Sequence, residues 1–342
     1  MDVEGVCPFR MIELGSECGM TTVATVNGEI SFEEFGMTLP HEHLFINLLR
    51  ERRGDGLVHD ERAIIQEVEH FRAQGGATMF DLTTAELTAG STVNSTATLE
   101  TSRHQTRDPH NVEAIQRVAA ATGLNVVLGT GRYRDPFLDA DLIEELGPAG
   151  LGEEMVRDLL EGIPGTTARA GLIGEIGSDK WYISALEHTV FTAAARAHQR
   201  TNAAVYTHAA RWPVAVDQIA LLREEGVAPS KIAVGHVDTV PVDGFAVEVA
   251  KHGVYVGIDT INSTNAHEVN HRVDAVMELV RAGYLDRILL SHDVCLLSQL
   301  RLYGGNGYGF VMGEFKEALL RAGLNEGEFD EITRKNPARL VV

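Results

Sequence analysis

Eight short, nearly continuous apolar runs lie near 37–43, 77–82, 125–130, 171–176, 203–208, 231–236, 253–259 and 286–292. Stretches with helical patterning separate them. Apolar runs of this length without polar alternation suit strands buried on both faces, as parallel strands are when helices cover them. Parallel neighbours also need a crossover of a dozen or more residues, which the helical stretches supply. Asp108-Pro109 opens one such helix and Gly123 closes it, while another runs from Pro213 to Gly226. Proline just inside a start and glycine just past an end are what helix termini favour. Segments 61–74, 187–199 and 269–282 carry apolar residues at helical spacing. Eight strand–helix units predict an α/β fold, the (β/α)8 TIM barrel, preceded by a short N-terminal β-hairpin at 22–32. Asn27-Gly28 reads as the type I′ turn of that hairpin. A doubly wound open sheet competes, but it wants a Gly-x-Gly-x-x-Gly turn after an early strand, and the chain has none.

Composition narrows the function. At 342 residues and 44% hydrophobic content the chain supports a large core, and residues 21–342 read as one domain behind a loose extension, 1–20. A net charge of −20 argues against nucleic acid and anionic membrane surfaces as partners. No apolar run approaches a membrane span, and the first twenty residues lack a secretory pattern. Three cysteines, Cys7, Cys18 and Cys295, are odd in number and show no metal spacing, so a reducing cytoplasm is expected. Cys295 has no activating histidine beside it and is set aside as a nucleophile.

Several runs end in residues that bind metals. His41 and His43 are two apart on one strand, so both imidazoles point the same way. Glu175, His208 and His236 each close an apolar run, and Asp293 follows the last one. A single histidine at a strand end is commonly a satisfied core residue. Six ligand types at the ends of strands 1, 4, 5, 6 and 8 converge on one mouth, because barrel sites gather at the C-terminal strand ends. Asp259 ends strand 7, where it would bind substrate or support a histidine. Arg132 and Arg134 flank Tyr133; either would clamp an anionic substrate group such as a carboxylate or sulfonate, while an ordinary surface arginine is the plainer reading for both. Without such a local clamp the acidic balance disfavours a highly anionic substrate.

The motifs Leu39-Pro40-His41-Glu42-His43, Gly129-Thr130-Gly131-Arg132-Tyr133, Glu224-Glu225-Gly226-Val227-Ala228-Pro229-Ser230-Lys231-Ile232, Ser291-His292-Asp293 and Asn336-Pro337-Ala338-Arg339 resemble the phosphotriesterase family of the amidohydrolase superfamily. The likeness runs in order from about residue 21 to the end. Glu175 within Gly171–Gly177, and Gly304-Gly305-Asn306-Gly307-Tyr308, resemble the phosphotriesterase-related and phosphotriesterase homology branch, whose bridging ligand is glutamate rather than carboxylated lysine. The resemblance implies a binuclear-metal hydrolase. His41, His43 and Asp293 would hold one divalent ion, His208 and His236 the other, and Glu175 would bridge them. Zinc is expected first, with manganese or cobalt also suited to the ligands. A hydroxide shared by the ions would attack a carboxylic ester, lactone or N-acyl amide, with Asp293 as the catalytic base and aryl phosphotriesters as a side activity. Tyr133 matches a tyrosine that contacts the reacting groups in related lactonases. Thr260, after Asp259, stands where many of those lactonases have arginine. A true phosphotriesterase (aryldialkylphosphatase) is one alternative, and a non-catalytic metal-containing binding protein is another of a different class. Small-molecule substrates and a homodimer are the expected partners. A long segment after Asp81, including 88–96, would overhang the mouth as a lid or be a surface insertion.

Overall fold

The computed structural model describes residues 22–88, 103–263 and 265–342. The expected extension 1–20 and most of the long segment after Asp81 lie outside the described residues. Strands β1 (Thr22–Thr25) and β2 (Gly28–Ser31) form the hairpin. β3 (Met37–Glu42) opens the barrel, and β4 (Ile46–Asn47) and β5 (Leu57–Val58) make a small antiparallel pair beyond its end. The remaining barrel strands are β6 (Gly76–Asp81), β7 (Asn125–Thr130), β8 (Leu172–Gly177), β9 (Val205–His208), β10 (Ile232–Gly235), β11 (Tyr255–Ile258) and β12 (Ile288–Leu290). They form one eight-stranded sheet in the order β12-β11-β10-β9-β8-β7-β6-β3, parallel at every paired strand. The fold is a (β/α)8 barrel.

Side chains side with the barrel interior or the helical layer by strand alternation. Phe80, Val127, Leu172, Tyr206, Ala233, Tyr255 and Leu289 form the inner cluster. Their neighbours Met79, Val126, Ile173, Val205, Val234, Val256 and Ile288 belong to the outer cluster, packed with the helices. The inner cluster also takes in Val23 and Ile30 of the hairpin and Ala338 and Leu340 of the last helix, so these two elements plug one end of the barrel. Asn336 donates its amide to the carbonyls of Leu285 and Ile288, both at 2.9 Å, which ties that helix to the start of β12.

The hairpin turns one residue earlier than its sequence suggests. Thr25 pairs with Gly28, leaving Val26 and Asn27 as the loop, and neither has the positive φ that a type I′ turn requires. Docking overrides the local preference: Val26 is buried and its N–H donates to Val126 of β7 at 2.9 Å. Helix Pro109–Thr122 begins and ends at its sequence signals, with the Asp108 carboxylate accepting from the His110 N–H and Gly123 in the left-handed region. Helix Ala140–Leu160 was not legible because Gly147-Pro148 breaks its period, and Gly147 leaves helical geometry there.

Barrel closure falls between β3 and β12. The Asp293 N–H donates to the His41 carbonyl at 3.2 Å, and the His41 N–H donates to Ser291 Oγ at 3.1 Å. Glu42, buried between the two histidines of its motif, accepts from Ser291 Oγ, the His292 N–H, His292 Nδ1 and the Val294 N–H at 2.8–3.0 Å. The closure thus sets His41, His43 and Asp293 side by side.

Candidate metal centre

Six predicted side chains meet at the C-terminal end of the barrel. Glu175 lies at their middle. Its Oε1 is 3.6 Å from His43 Nε2, and its Oε2 is 2.8 Å from His208 Nδ1, 3.4 Å from His236 Nε2 and 3.5 Å from His41 Nε2. Asp293 Oδ1 is 3.2 Å from His43 Nε2 and 3.9 Å from His41 Nε2. Two ligand-like groups result, His41 with His43 and Asp293, and His41 with Glu175 and His236. Local backbone delivers them. Gly174 has φ 139°, and a Cβ there would stand 2.5 Å from the Tyr206 carbonyl, so the residue before Glu175 has to be glycine. His236 and Asp293 both take left-handed backbone, φ 61° and 52°, an uncommon conformation for such residues that surroundings must hold.

A second layer orients the imidazoles. Asp259 accepts from His41 Nδ1 at 2.8 Å, the Tyr206 hydroxyl at 2.9 Å and the His236 N–H at 2.7 Å, and its Oδ1 lies 3.0 Å from His236 Nδ1. His43 Nδ1 shares a hydrogen bond of 2.8 Å with Thr83. These contacts turn the Nε2 atoms of His41, His43 and His236 toward Glu175 and Asp293. The Tyr308 hydroxyl donates to the His43 carbonyl at 2.8 Å, which gives the glycine-rich stretch 304–308 its task of bracing this strand end.

The buried carboxylates and imidazoles shift one another's titration. Burial opposes charge on Glu175, yet the His41 and His208 imidazoles hold its carboxyl well below the usual range. Burial likewise opposes the charge of Asp259, and His236 and His41 outweigh it and hold the group down. Burial would lower His236, but Asp259 and Glu175 lift it to about 10. His41 is raised in the same way by Glu175 and Asp259. Burial, and then the neighbouring His236, push His208 down to about 3. His41 Nε2 is buried with no hydrogen-bond partner among the described residues. An orphaned nitrogen, convergent imidazoles and two carboxylates are the donor set that divalent transition metals take, so these residues fit such a group.

The other predicted residues divide. Tyr133 joins the site: it is buried, its hydroxyl lies 3.3 Å from His208 Nδ1, and burial with the nearby Glu175 pushes its pKa well up. Asp259 has no exposure and no free face for substrate, and it serves the histidines instead. Arg132 does not reach the mouth. It is buried away from it between Glu154 at 2.6 Å and Glu86 at 3.2 Å, and those carboxylates already use its charge. Arg134 does line the mouth, but Glu51 and Asp179 hold it against the Tyr133 ring. Cys295 stays a thiol, because burial and then Asp293 push its pKa up.

Sequence reasoning passed over Glu42, Thr83, Asp81 and Arg107. Arg107 is fully buried and spans β6 and β7, donating to Asp81 Oδ1 at 2.7 Å and to the carbonyls of Asp81 and Gly129. Asp81 closes an apolar run just as Glu175 does, so a signal for it was present.

Comparison with known proteins gives the ancestry of this arrangement. The sequence pattern of the phosphotriesterase family matches residues 21–341. The phosphotriesterase homology protein of Escherichia coli (strain K12) is 31% identical over 311 residues, spanning 91% of this chain and 99% of its own length. A crystal structure of that protein, complexed with phosphate in its active site, matches 90% of this chain and 99% of its own with a TM-score of 0.79 at 30% identity. An N-acetyltaurine hydrolase of Salmo salar is 27% identical, covering 93% of this chain and 97% of its own. The organophosphorus hydrolase of Deinococcus radiodurans is 26% identical with a TM-score of 0.76, covering 94% of this chain and 97% of its own. The chain belongs to the phosphotriesterase family of hydrolases.

Proposed function

We propose that the protein hydrolyses a small carboxylic ester, lactone or N-acyl amide with the help of two divalent cations, zinc first. His41, His43 and Asp293 would hold one cation and His208 and His236 the other, with Glu175 shared. The observation that carries this reading is the central place of Glu175, whose Oε1 faces His43 and whose Oε2 faces His41, His208 and His236, so that one carboxylate reaches imidazoles of both assigned sites. When bound, the cations would polarise the scissile carbonyl and lower the pKa of water from 15.7 to about 7. The protein's own groups do the rest. Asp293, whose side chain is 18% exposed beside the mouth, accepts the proton of the attacking water at a carboxylate oxygen and passes it to the leaving group. Tyr133, held protonated and aimed at His208, offers its O–H to the oxygen that gains charge. Asp259 and Thr83 keep the imidazoles in place as charge develops.

Relatives named for hydrolysis of N-acetyltaurine and of organophosphorus compounds support a hydrolytic site and leave the bond type to the mouth. A cytoplasmic location and a homodimer belong to the same proposal. The first rests on the odd cysteine count; the second rests on the resemblance alone. Among the described residues no helix is long and apolar enough to cross a membrane.

The test is turnover by zinc-loaded protein of one acyl group presented as lactone, aryl ester and amide, beside an aryl phosphotriester. Asp293→Asn is the control, with metal content measured in both proteins. Preference for a carbonyl substrate, reduced about 10²–10⁴-fold in the variant, is expected for loss of a general base. Preference for the phosphotriester would make the protein a true phosphotriesterase. Two bound metals with no turnover across the panel would favour a binding protein.

A further inference from the structure

The mouth above the six-residue cluster is a cavity of about 270 Å³ whose charge runs opposite to that of the chain. Arg52, Arg134, Arg211 and Arg272 line it, and beside the cluster's own Asp293 the lining holds one carboxylate, Glu51. This is a concentration of cations in a protein of net charge −20. Two of the four are already engaged. Arg134 lies 3.0 Å from Glu51 and also pairs with Asp179. Arg272 Nε lies 2.8 Å from Asp238. Arg52 and Arg211 have no carboxylate partner among the described residues.

Arg211 carries a second mark. Its backbone is left-handed, φ 68°, and its N–H donates to Thr239 Oγ1 at 2.7 Å. A long side chain rarely adopts that conformation, and it persists where the surroundings fix it. Arg211 follows His208 by three residues, so the loop leaving β9 delivers an imidazole to the floor and a guanidinium to the rim of one cavity.

We propose that Arg52 and Arg211 form a subsite for an oxyanion on the substrate, a carboxylate or sulfonate a few bonds from the scissile ester or amide carbonyl. The proposal rests on the hydrolase reading above and adds the substrate's charge to it. A guanidinium presents a planar fork of N–H donors that matches such an oxyanion in two parallel hydrogen bonds. The surplus negative charge of the chain does not oppose this, because charges beyond about 8 Å are largely screened at physiological ionic strength. The cavity volume lies just under the roughly 300–1,000 Å³ of drug-sized ligand sites, so the substrate is small.

Two matched substrate pairs test this on the full-length, zinc-loaded protein. One is N-acetyl-β-alanine against its neutral carboxamide. The other is the para-nitrophenyl monoester of adipic acid against its methyl ester. The expected result is a preference of about 100-fold in kcat/KM for the charged member, about tenfold per arginine and mostly through KM. Arg52→Gln with Arg211→Gln should bring that ratio close to one. A calorimetric titration with methoxypropanesulfonate, which carries no cleavable bond, reads the subsite without turnover. Its affinity should fall at least tenfold in the double variant. Equal handling of both members by the native protein, a ratio unmoved in the double variant, or equal sulfonate affinity overturns the proposal. No turnover of any pair, with sulfonate binding still lost in the variant, defeats the hydrolase reading and leaves the anion subsite standing.

Discussion

Asp259 touches imidazoles assigned to both proposed cation sites, which makes Asp259→Asn a sharp perturbation. Its Oδ2 accepts from His41 Nδ1 at 2.8 Å and from Tyr206 at 2.9 Å, while its Oδ1 accepts from the His236 N–H at 2.7 Å. Asparagine keeps one acceptor and replaces the other with an NH2 group. In one orientation that group faces His41 and Tyr206, and in the other it faces the His236 N–H. Either way a buried donor meets a donor, at a cost of about 1–3 kcal/mol. A change of 1.4 kcal/mol is tenfold in affinity, and outer partners of metal-binding histidines are typically worth about 10–100-fold. Both zinc affinities should therefore fall by about 10–100-fold. The assay is a titration of stripped protein with zinc against a chelating dye, fitted to two sites, with circular dichroism to establish that the variant is folded. Thr83→Val supplies the contrast, because Thr83 supports only His43 and should weaken only the site of His41, His43 and Asp293. A folded Asp259→Asn protein that loses affinity at one site, or at neither, refutes the shared-orientation argument.

Three further outcomes follow from the same geometry. Glu42→Gln retains one acceptor oxygen but sets an amide N–H against one of four donors at the barrel closure, so urea unfolding should show a loss of about 2–4 kcal/mol. Asp81→Asn leaves the fully buried Arg107 guanidinium without its counter-charge, and the expected loss is about 3–5 kcal/mol, read as a lower midpoint in the same assay. On the proposed ligand set Glu175 would supply the shared carboxylate, so reassembly of stripped protein with zinc should proceed at the same rate with and without added bicarbonate; acceleration by bicarbonate would count against Glu175 as the bridge.

The parts of this molecule that repeat along the chain were readable from the chain. Short apolar runs recur eight times around the barrel with helical stretches between them, and each run ends close to where its strand ends. The ligand candidates were readable for a related reason: a polar residue closing a buried strand stands out against its apolar neighbours. Glu42 was hidden inside a motif noticed for its histidines, because alternation turns it to the opposite face and its partners, Ser291, His292 and Val294, lie some 250 residues away. Arg132 illustrates the converse. Its place after Gly131 suggested the mouth, yet its direction is set by Glu86 and Glu154, which arrive from other loops. Arg52 and Arg211 carry no local signal at all. What singles them out is that neither forms an ion pair with a carboxylate among the described residues, and that is a property of the assembled rim rather than of either sequence neighbourhood.

The floor of the site bears on the anion subsite as much as the rim does. Glu175, Asp259 and Asp293 bring three carboxylates to the floor around His41, buried where salt screens little, and Asp293 lines the cavity itself. Without cations, and against the effect of burial, Glu175 and Asp259 raise the pKa of His41 and His236, and protons held there offset only part of the carboxylates' charge. Two divalent cations bound to neutral imidazoles would offset all three carboxylates together with a bound hydroxide, so the floor would lose its negative charge. An oxyanion held between Arg52 and Arg211 should feel that change. Stripping zinc with a chelator should therefore weaken methoxypropanesulfonate binding several-fold, and adding zinc back should restore it, with the arginines unchanged throughout. The double arginine variant should bind weakly in both states. Sulfonate affinity that ignores the metal while depending on the arginines would mean that the rim alone recognises the anion. The charged group would then sit too far from the floor for the cations to act on it, and the few-bond spacing between oxyanion and scissile carbonyl would have to be lengthened.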